Sequence, residues 1–149
     1  MNVDKNTLER VQRILELPSL IGPLERQRVA LRAERRTTEA KVARQRVLVL
    51  NEVIDLDERY RAAANQKERD VLMDAALHAD DQWCELVERV DQLTTTIERV
   101  EADLSVLDHE RKALKAALER EYASIIEQLL SDKVLADAAS SRRLRGVEA

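Results

Sequence analysis

Apolar residues recur in alternating steps of three and four from Trp83 to Ile125, which is the pattern of a coiled-coil helix. A 3.5-residue repeat keeps its apolar stripe on one side of a helix only when that helix winds around a partner. The pattern therefore predicts a long helix that needs a second helix along most of its length. The apolar positions of this stripe are Trp83, Leu86, Val90, Leu93, Ile97, Val100, Leu104, Leu107, Leu114, Leu118 and Ile125.

Two charged residues, Arg111 and Glu121, interrupt the stripe. One explanation is irregular packing near the open end of the structure. The other is that these residues set the register or the oligomeric state, as polar residues at core positions of coiled coils can.

The rest of the chain predicts an all-α fold, a long antiparallel helical hairpin that assembles into a homo-oligomer. Pro18, Gly22 and Pro23 form the only strong turn signal, so the first helix is expected to end there. Asn65 is expected to cap a short helix in the connector, and Asp80 and Asp81 to cap the long helix. The predicted boundaries are 1–23 for an N-terminal helix and turn, 24–139 for the hairpin (basic helix 24–57, connector 58–80, long helix 81–139) and 140–149 for a flexible basic tail. Antiparallel pairing on these boundaries sets residues 26–46 beside roughly residues 95–115.

Composition supports long helices rather than a thick globular core. The 149 residues include two Gly, two Pro and no Phe, and 36% of them are charged. No apolar run is long enough to cross a bilayer, and the amino terminus lacks the apolar core of a signal peptide. Cys84 is the single cysteine, which excludes an internal disulfide and fits a reducing compartment. We therefore expect a cytoplasmic protein with no membrane partner.

The charges are strongly segregated along the chain. Residues 24–46 hold eight basic and three acidic residues, whereas residues 51–110 hold six basic and seventeen acidic residues. The basic helix could pair with acids of the long helix, or it could follow a phosphate backbone together with the basic tail. The candidate nucleic-acid-binding residues are Arg26, Arg28, Arg32, Arg35, Arg36, Lys41, Arg44 and Arg46, with Arg142, Arg143 and Arg145 in the tail.

No pattern in the sequence indicates catalysis. His78 and His109 do not stand at a metal-ligand spacing, and there is neither a Gly-rich phosphate loop nor a nucleophile motif. A thin helical hairpin also lacks the deep pocket in which pKa values are tuned. The sequence predicts a non-enzyme with no metal and no cofactor.

The order of several segments along the chain resembles that of a known family. The Val47–Glu52 stretch leads to Asn65-Gln66-Lys67-Glu68-Arg69, and then Asp80-Asp81-Gln82-Trp83 opens the heptad helix, which carries His109 to Leu114. This order over about residues 40–118 resembles bacteriophage-encoded proteins related to the UvsY recombination mediators. In that pattern an Asn-x-x-x-Arg element precedes an alanine- and leucine-rich helix, and an acidic pair followed by an aromatic residue starts the second coiled-coil helix.

The resemblance implies an oligomeric mediator that binds single-stranded DNA. Such a protein helps to load a RecA-type recombinase against a competing single-strand-binding protein. Lys67 and Arg69 are the residues that it places near the DNA. The alternative is a structural coiled-coil protein (a scaffold, chaperone or assembly factor) with a protein partner and no DNA binding.

Overall fold

The computed structural model describes the backbone from residue 4 to residue 146, and the side chains from residue 4 to residue 137. This part of the chain forms four α-helices and no strand: α1 (Lys5–Leu56), α2 (Glu58–Ala62), α3 (Gln66–Ala79) and α4 (Asp81–Gly146). The chain divides into two compact units. Unit 1 comprises Met1–Ile21 and Ser105–Ala149, and unit 2 comprises Gly22–Leu104. The predicted all-α fold is confirmed.

In each unit a segment of α1 runs antiparallel to a segment of α4. In unit 1, Arg10 pairs with Glu121 and Arg13 pairs with Glu110. In unit 2, Arg32 pairs with Glu101, and Gln45 donates to Asp80 at 3.2 Å. Within each unit the position on α4 falls as the position on α1 rises, which is the arrangement of a helical hairpin.

The expected helix break at Pro18–Pro23 is wrong, because α1 continues through both prolines. Leu17, directly before Pro18, is completely buried in unit 1, and Gly22 does not have a positive φ. A proline inside a helix costs roughly 3 kcal/mol through a lost hydrogen bond and a steric clash. Burying one aliphatic side chain contributes about 1.5–3 kcal/mol, so several seam contacts offset that cost. The two predicted helices before residue 57 are therefore one helix, Lys5–Leu56.

A heptad seam passes along α1 through the proline region without interruption. Its members are spaced alternately by three and four residues, and each of them is buried or half-buried. Leu17, Thr38 and Val49 are the most buried positions of this seam. In unit 1 the seam consists of Thr7, Arg10, Ile14, Leu17 and Ile21, and in unit 2 of Leu24, Arg28, Leu31, Arg35, Thr38, Val42, Gln45 and Val49.

The continuity of α1 changes the register from the predicted one. In unit 2, Arg32 faces Glu101, Glu34 faces Arg89, and Gln45 faces Asp80. The basic part of α1 thus lies beside approximately residues 80–101, not beside residues 95–115. The prediction was wrong because it started the hairpin at residue 24 and left residues 5–21 out of the pairing.

The stripe predicted on α4 is the face that α4 turns toward α1. All eleven apolar residues of the stripe are buried or half-buried, and Leu93, Ile97 and Val100 in unit 2 are the most deeply buried of them. Arg111 in unit 1 is exposed and donates to Asp108 at 2.6 Å. Glu121 instead points into the seam of unit 1, where it accepts a hydrogen bond from Thr7 Oγ1 at 2.7 Å and pairs with Arg10. Glu121 is therefore a polar seam residue with specific partners on α1, whereas the side chain of Arg111 points away from the seam to solvent.

Two of the predicted capping residues, Asn65 and Asp80, cap the helices that follow them. Asn65 accepts a hydrogen bond from the Glu68 amide at 3.0 Å at the start of α3, and Asp80 accepts one from the Trp83 amide at 2.6 Å at the start of α4. Both contacts satisfy amides that have no partner within their own helix. The connector also holds the additional short helix α2, which Asp57 caps.

The backbone of α4 remains helical to Gly146, beyond the predicted end at residue 139. The predicted end of the long helix at residue 139 is therefore seven residues too early, and the flexibility of the tail stays a prediction. Residues 147–149, and the side chains of Arg142, Arg143 and Arg145, lie outside the described part of the structure.

Candidate nucleic-acid interface

The basic residues of α1 in unit 2 separate into three groups according to their place relative to the seam. Two of the arginines are part of the seam, one pairs across to α4, and the others point to solvent. This division follows from the 3.5-residue repeat, since residues seven apart share a side of the helix.

Arg28 and Arg35 occupy the seam itself. Their side chains are half-buried, and the Nε atoms of both are buried without a hydrogen-bond partner. Each guanidinium approaches a carboxylate one turn away on α1, Glu25 at 3.9 Å and Glu39 at 3.4 Å. Long arginine stems can cover apolar surface while their charged ends stay near water. Arg28 and Arg35 therefore act mainly as packing residues.

Arg32 flanks the seam and pairs with Glu101 of α4. On the opposite flank the charges are reversed, since Arg89 of α4 donates to Glu34 of α1 at 2.5 Å. A groove of about 310 Å³ lies on the first flank and places Arg32 and its neighbours close to Glu98 and Glu101. The charge of this flank is thus partly neutralised within the chain. The residues that line the groove are Arg32, Arg35, Arg36, Thr94, Ile97, Glu98 and Glu101.

Five basic residues of α1 remain exposed and form no ion pair with any described residue. Arg26 lies on the side of α1 opposite the seam, Arg36 and Arg44 lie to the left and right of that side, and Lys41 and Arg46 lie on the two flanks of the seam. From first to last they span twenty residues of helix, or roughly 30 Å at 1.5 Å per residue. We call these five residues the basic band: Arg26, Arg36, Lys41, Arg44 and Arg46.

The part of α4 that faces the basic residues of α1 has a larger excess of carboxylates than the part that the predicted register placed there. Residues 81–101 of α4 contain six carboxylates and two arginines. Only residues on or near the seam of α1 reach these acids, because α4 packs along that side. Arg26, Lys41, Arg44 and Arg46 do not line the groove that holds Glu98 and Glu101, whereas Arg36 lines it but forms no ion pair with either carboxylate.

The two connector residues singled out by the family resemblance differ in their surroundings. Lys67 is exposed at the beginning of α3. Arg69 is half-buried, and its guanidinium carbon lies 5.7 Å from the centre of the Tyr60 ring. A guanidinium over an aromatic face is a cation–π contact, which holds α3 against α2. Of the two, only Lys67 is free to bind a ligand.

Sequence reasoning missed the seam arginines, although a signal for them was present. Extending the heptad count backward from Val49 through Val42 reaches Arg35 and Arg28 directly. The turn signal at Pro18–Pro23 concealed this periodicity, since it suggested that nothing before residue 24 shared the helix.

Neither a metal site nor a membrane-spanning helix is present among the described residues. No group of three or more His, Cys, Asp or Glu side chains from residue 4 to residue 137 is arranged to hold a metal ion. In the same part of the chain, no helix has an apolar stretch of the length needed to span a membrane.

One contact in unit 1, outside the basic band, shifts the pKa values of both of its residues. Arg13 Nε donates to Glu110 Oε1 at 2.6 Å, and this hydrogen bond and the charge of Arg13 lower the pKa of Glu110 from its ordinary value. The same contact raises the pKa of Arg13. The Arg13–Glu110 pair therefore links α1 to α4 as an ionised pair at neutral pH.

No family model, curated protein or solved structure matches this chain.

Proposed function

We propose that this protein is a non-enzymatic binder of single-stranded DNA that contacts the phosphate backbone through the basic band of α1. The observation that supports this proposal is the set of five exposed cationic side chains on one helix that form no ion pair with any residue the structure describes. An arginine that is not already paired gains the most from a phosphate, because no existing salt bridge has to be broken.

The chemistry of the chain favours contacts to phosphates over contacts to bases. Proteins that bind single strands by stacking use aromatic side chains, and aromatics make up only 2% of this sequence. Arginine can hold a phosphate in a bidentate contact, and lysine supplies a point charge. Binding of this type is sensitive to salt, because each neutralised phosphate releases condensed counterions.

The proposed biological role is that of a recombination mediator, which would load a RecA-type recombinase against a single-strand-binding protein. This part of the proposal rests on the resemblance over about residues 40–118. The basic band itself rests on the geometry of α1 and is independent of that resemblance.

The test is a fluorescence anisotropy titration of a labelled single strand across a salt series, with duplex DNA as competitor. The test variant replaces Arg26, Arg36, Lys41 and Arg44 by alanine. The matched control replaces Arg111, Lys112, Lys115 and Arg120, which are exposed basic residues on α4, so that both variants lose the same charge. Alanine is a good helix former, and circular dichroism will verify that both variants fold.

We expect the band variant to bind at least about tenfold more weakly at low salt. The slope of log K against log salt should become shallower by up to about 3, since each lost phosphate contact on a single strand contributes about 0.7. The control should change affinity only slightly. Equal losses in both variants would show that net charge alone matters, and an unchanged band variant would refute the assignment of the band.

A second candidate function is a structural coiled coil that binds a protein partner. The observation that favours it is a set of exposed apolar side chains on the last described turns of α4, including Leu129, Val134 and Leu135. In that case the wild-type protein would not bind DNA at low salt, and the arginines of α1 would serve only to solvate and pack the hairpin.

A further inference from the structure

The seam of α4 is occupied within the chain, so self-association cannot use it without unpacking the hairpin. In each unit the residues of this seam are turned toward α1, and Leu93 is only 2% exposed. Any interface between copies must therefore lie on another surface. Unit 1 carries such a surface, and that surface shares no residue with the basic band of unit 2.

The first part of this surface is on α1. Leu8, Val11 and Leu15 are spaced by three and four residues, and they are exposed beside the seam, with Leu15 at 74%. This spacing places all three side chains on one face of the helix. Three large aliphatic side chains on one exposed face are a contiguous patch rather than scattered surface residues.

The second part of the surface is on α4. Tyr122, Ile126 and Leu129 are spaced by four and three residues and are also exposed, with Tyr122 at 68%. Tyr122 directly follows the seam residue Glu121. The stripe thus flanks the seam in the same way that Val11 flanks it on α1, where Val11 directly follows the seam residue Arg10.

These two stripes lie on the same side of unit 1. The other flank is identified by the bond between Arg13 and Glu110, since each of these residues directly precedes a seam position. Val11 and Tyr122 lie on the flank opposite to that bond. The Thr7–Glu121 contact sets the start of α1 level with Glu121, so the stripe of α1 ends where the stripe of α4 begins. We call the combined surface the apolar band: Leu8, Val11, Leu15, Tyr122, Ile126 and Leu129.

Four charged residues on this side of unit 1 are already paired within α4. Lys112 lies 2.6 Å from Asp108, and Lys115 lies 3.8 Å from Glu119. A partner of strong opposite charge would find no unpaired counter-charge among these four residues, whereas an identical copy would meet no net repulsion from them.

The size of the apolar band also fits an identical copy. The exposed fractions of its six side chains correspond to roughly 650 Å² per copy. Complete coverage of both copies would bury about 1,300 Å², which reaches the range of about 1,200–2,000 Å² for stable specific interfaces. Self-complementary patches of this kind usually associate about a two-fold axis.

We propose that two copies of this chain associate through the apolar band of unit 1. Each copy covers the exposed stripe of the other, and the hairpin seam within each copy stays intact. The basic band is on a different part of the chain and is not needed for this association.

The test measures the mass of the full-length chain by sedimentation equilibrium across a wide concentration range, in the absence of nucleic acid. The test variants are Leu8→Glu with Leu15→Glu, and Tyr122→Glu with Leu129→Glu. The matched control is Val106→Glu, an equally exposed residue (66%) on α4 that lies on a different face of unit 1. Circular dichroism at 222 nm will show whether each variant retains its helix content.

We expect a wild-type dimer, a control that dimerises like the wild type, and folded test variants whose dissociation constants rise by about 100-fold or more. The effect is large because a two-fold interface loses each substituted side chain twice. A wild-type chain that stays monomeric at every concentration would overturn the proposal. A folded test variant that dimerises as tightly as the wild type would also overturn it, because the association would then use another surface.

Discussion

Replacing Pro18 by alanine tests the continuity of α1, because a continuous helix and a turn respond to this change in opposite directions. In the continuous helix, Pro18 lacks the amide that would bond the carbonyl of Ile14, and its ring crowds that carbonyl. Alanine restores the hydrogen bond and removes the clash. In a turn, the fixed φ of proline would stabilise the native chain, so its loss would be neutral or destabilising.

The magnitude follows from helix propensities and from the space around each residue. Proline in a helix interior is about 3 kcal/mol less favourable than alanine. Gly22 offers an independent measure, because a Cβ added there meets only Nη1 of the Arg26 side chain, at the ordinary contact distance of 3.5 Å. We therefore expect Gly22→Ala to stabilise the protein by about 1 kcal/mol, and Pro18→Ala by up to about 3 kcal/mol.

Thermal and urea denaturation followed by circular dichroism at 222 nm will measure both changes. For a chain of this size, 1 kcal/mol corresponds to a shift of roughly 2–4 °C in Tm. Ala30→Gly, at an exposed interior position of the same helix, serves as a control and should lower stability by about 1 kcal/mol.

The refuting result is specific. If Pro18→Ala and Gly22→Ala both destabilise the protein while Ala30→Gly behaves as expected, the segment is a turn. The pairing of residues 5–21 with residues after 105, and the apolar band built on it, would then be wrong.

Three further substitutions probe other contacts. Leu93→Ala removes a side chain that is almost fully buried, so the free energy of unfolding in urea should fall by about 2–5 kcal/mol, and a change below about 1 kcal/mol would contradict its burial. Asn65→Ala should cost about 1 kcal/mol through loss of the α3 cap, whereas Asn65→Asp should retain most of that stability; equal losses would argue against the cap. Glu110→Gln tests the ion pair with Arg13. Because the pKa of Glu110 is lowered in the folded protein, its contribution is fully present above the ordinary glutamate pKa of about 4.3 and is lost as pH falls through the lower folded pKa. The urea midpoint of the variant should therefore be lower than that of the wild type at neutral pH and should fall less on acidification; parallel pH profiles would show that the pair does not contribute.

The sequence determined the helical character of the chain and the inward face of α4. A 3.5-residue repeat in a chain with two Gly and two Pro leaves little alternative to long paired helices. The caps Asn65 and Asp80 were also visible, because a side-chain oxygen that satisfies free amides acts within a few residues. Local signals of this type are decided by neighbours in sequence and need no knowledge of the tertiary structure.

The tertiary structure decided whether the proline region bends and which residues face each other across the hairpin. A proline raises the local free energy of a helix by a fixed amount, but the compensating burial of Leu17 comes from residues more than eighty positions away. The register depends on the same packing. Because residues 5–21 also pair with α4, residues 26–46 face an earlier part of α4 than predicted.

For the candidate nucleic-acid interface, too, one part was predicted from the sequence and another part required the tertiary structure. The sequence identified the excess of arginines between residues 24 and 46, because charge can be counted without a structure. The packed hairpin separated Arg28 and Arg35, which lie in the seam, and Arg32, which pairs with Glu101, from the five residues of the basic band. The physical reason is that a sequence shows which residues are charged, but the partner helix determines which sides of α1 are covered and which remain in water.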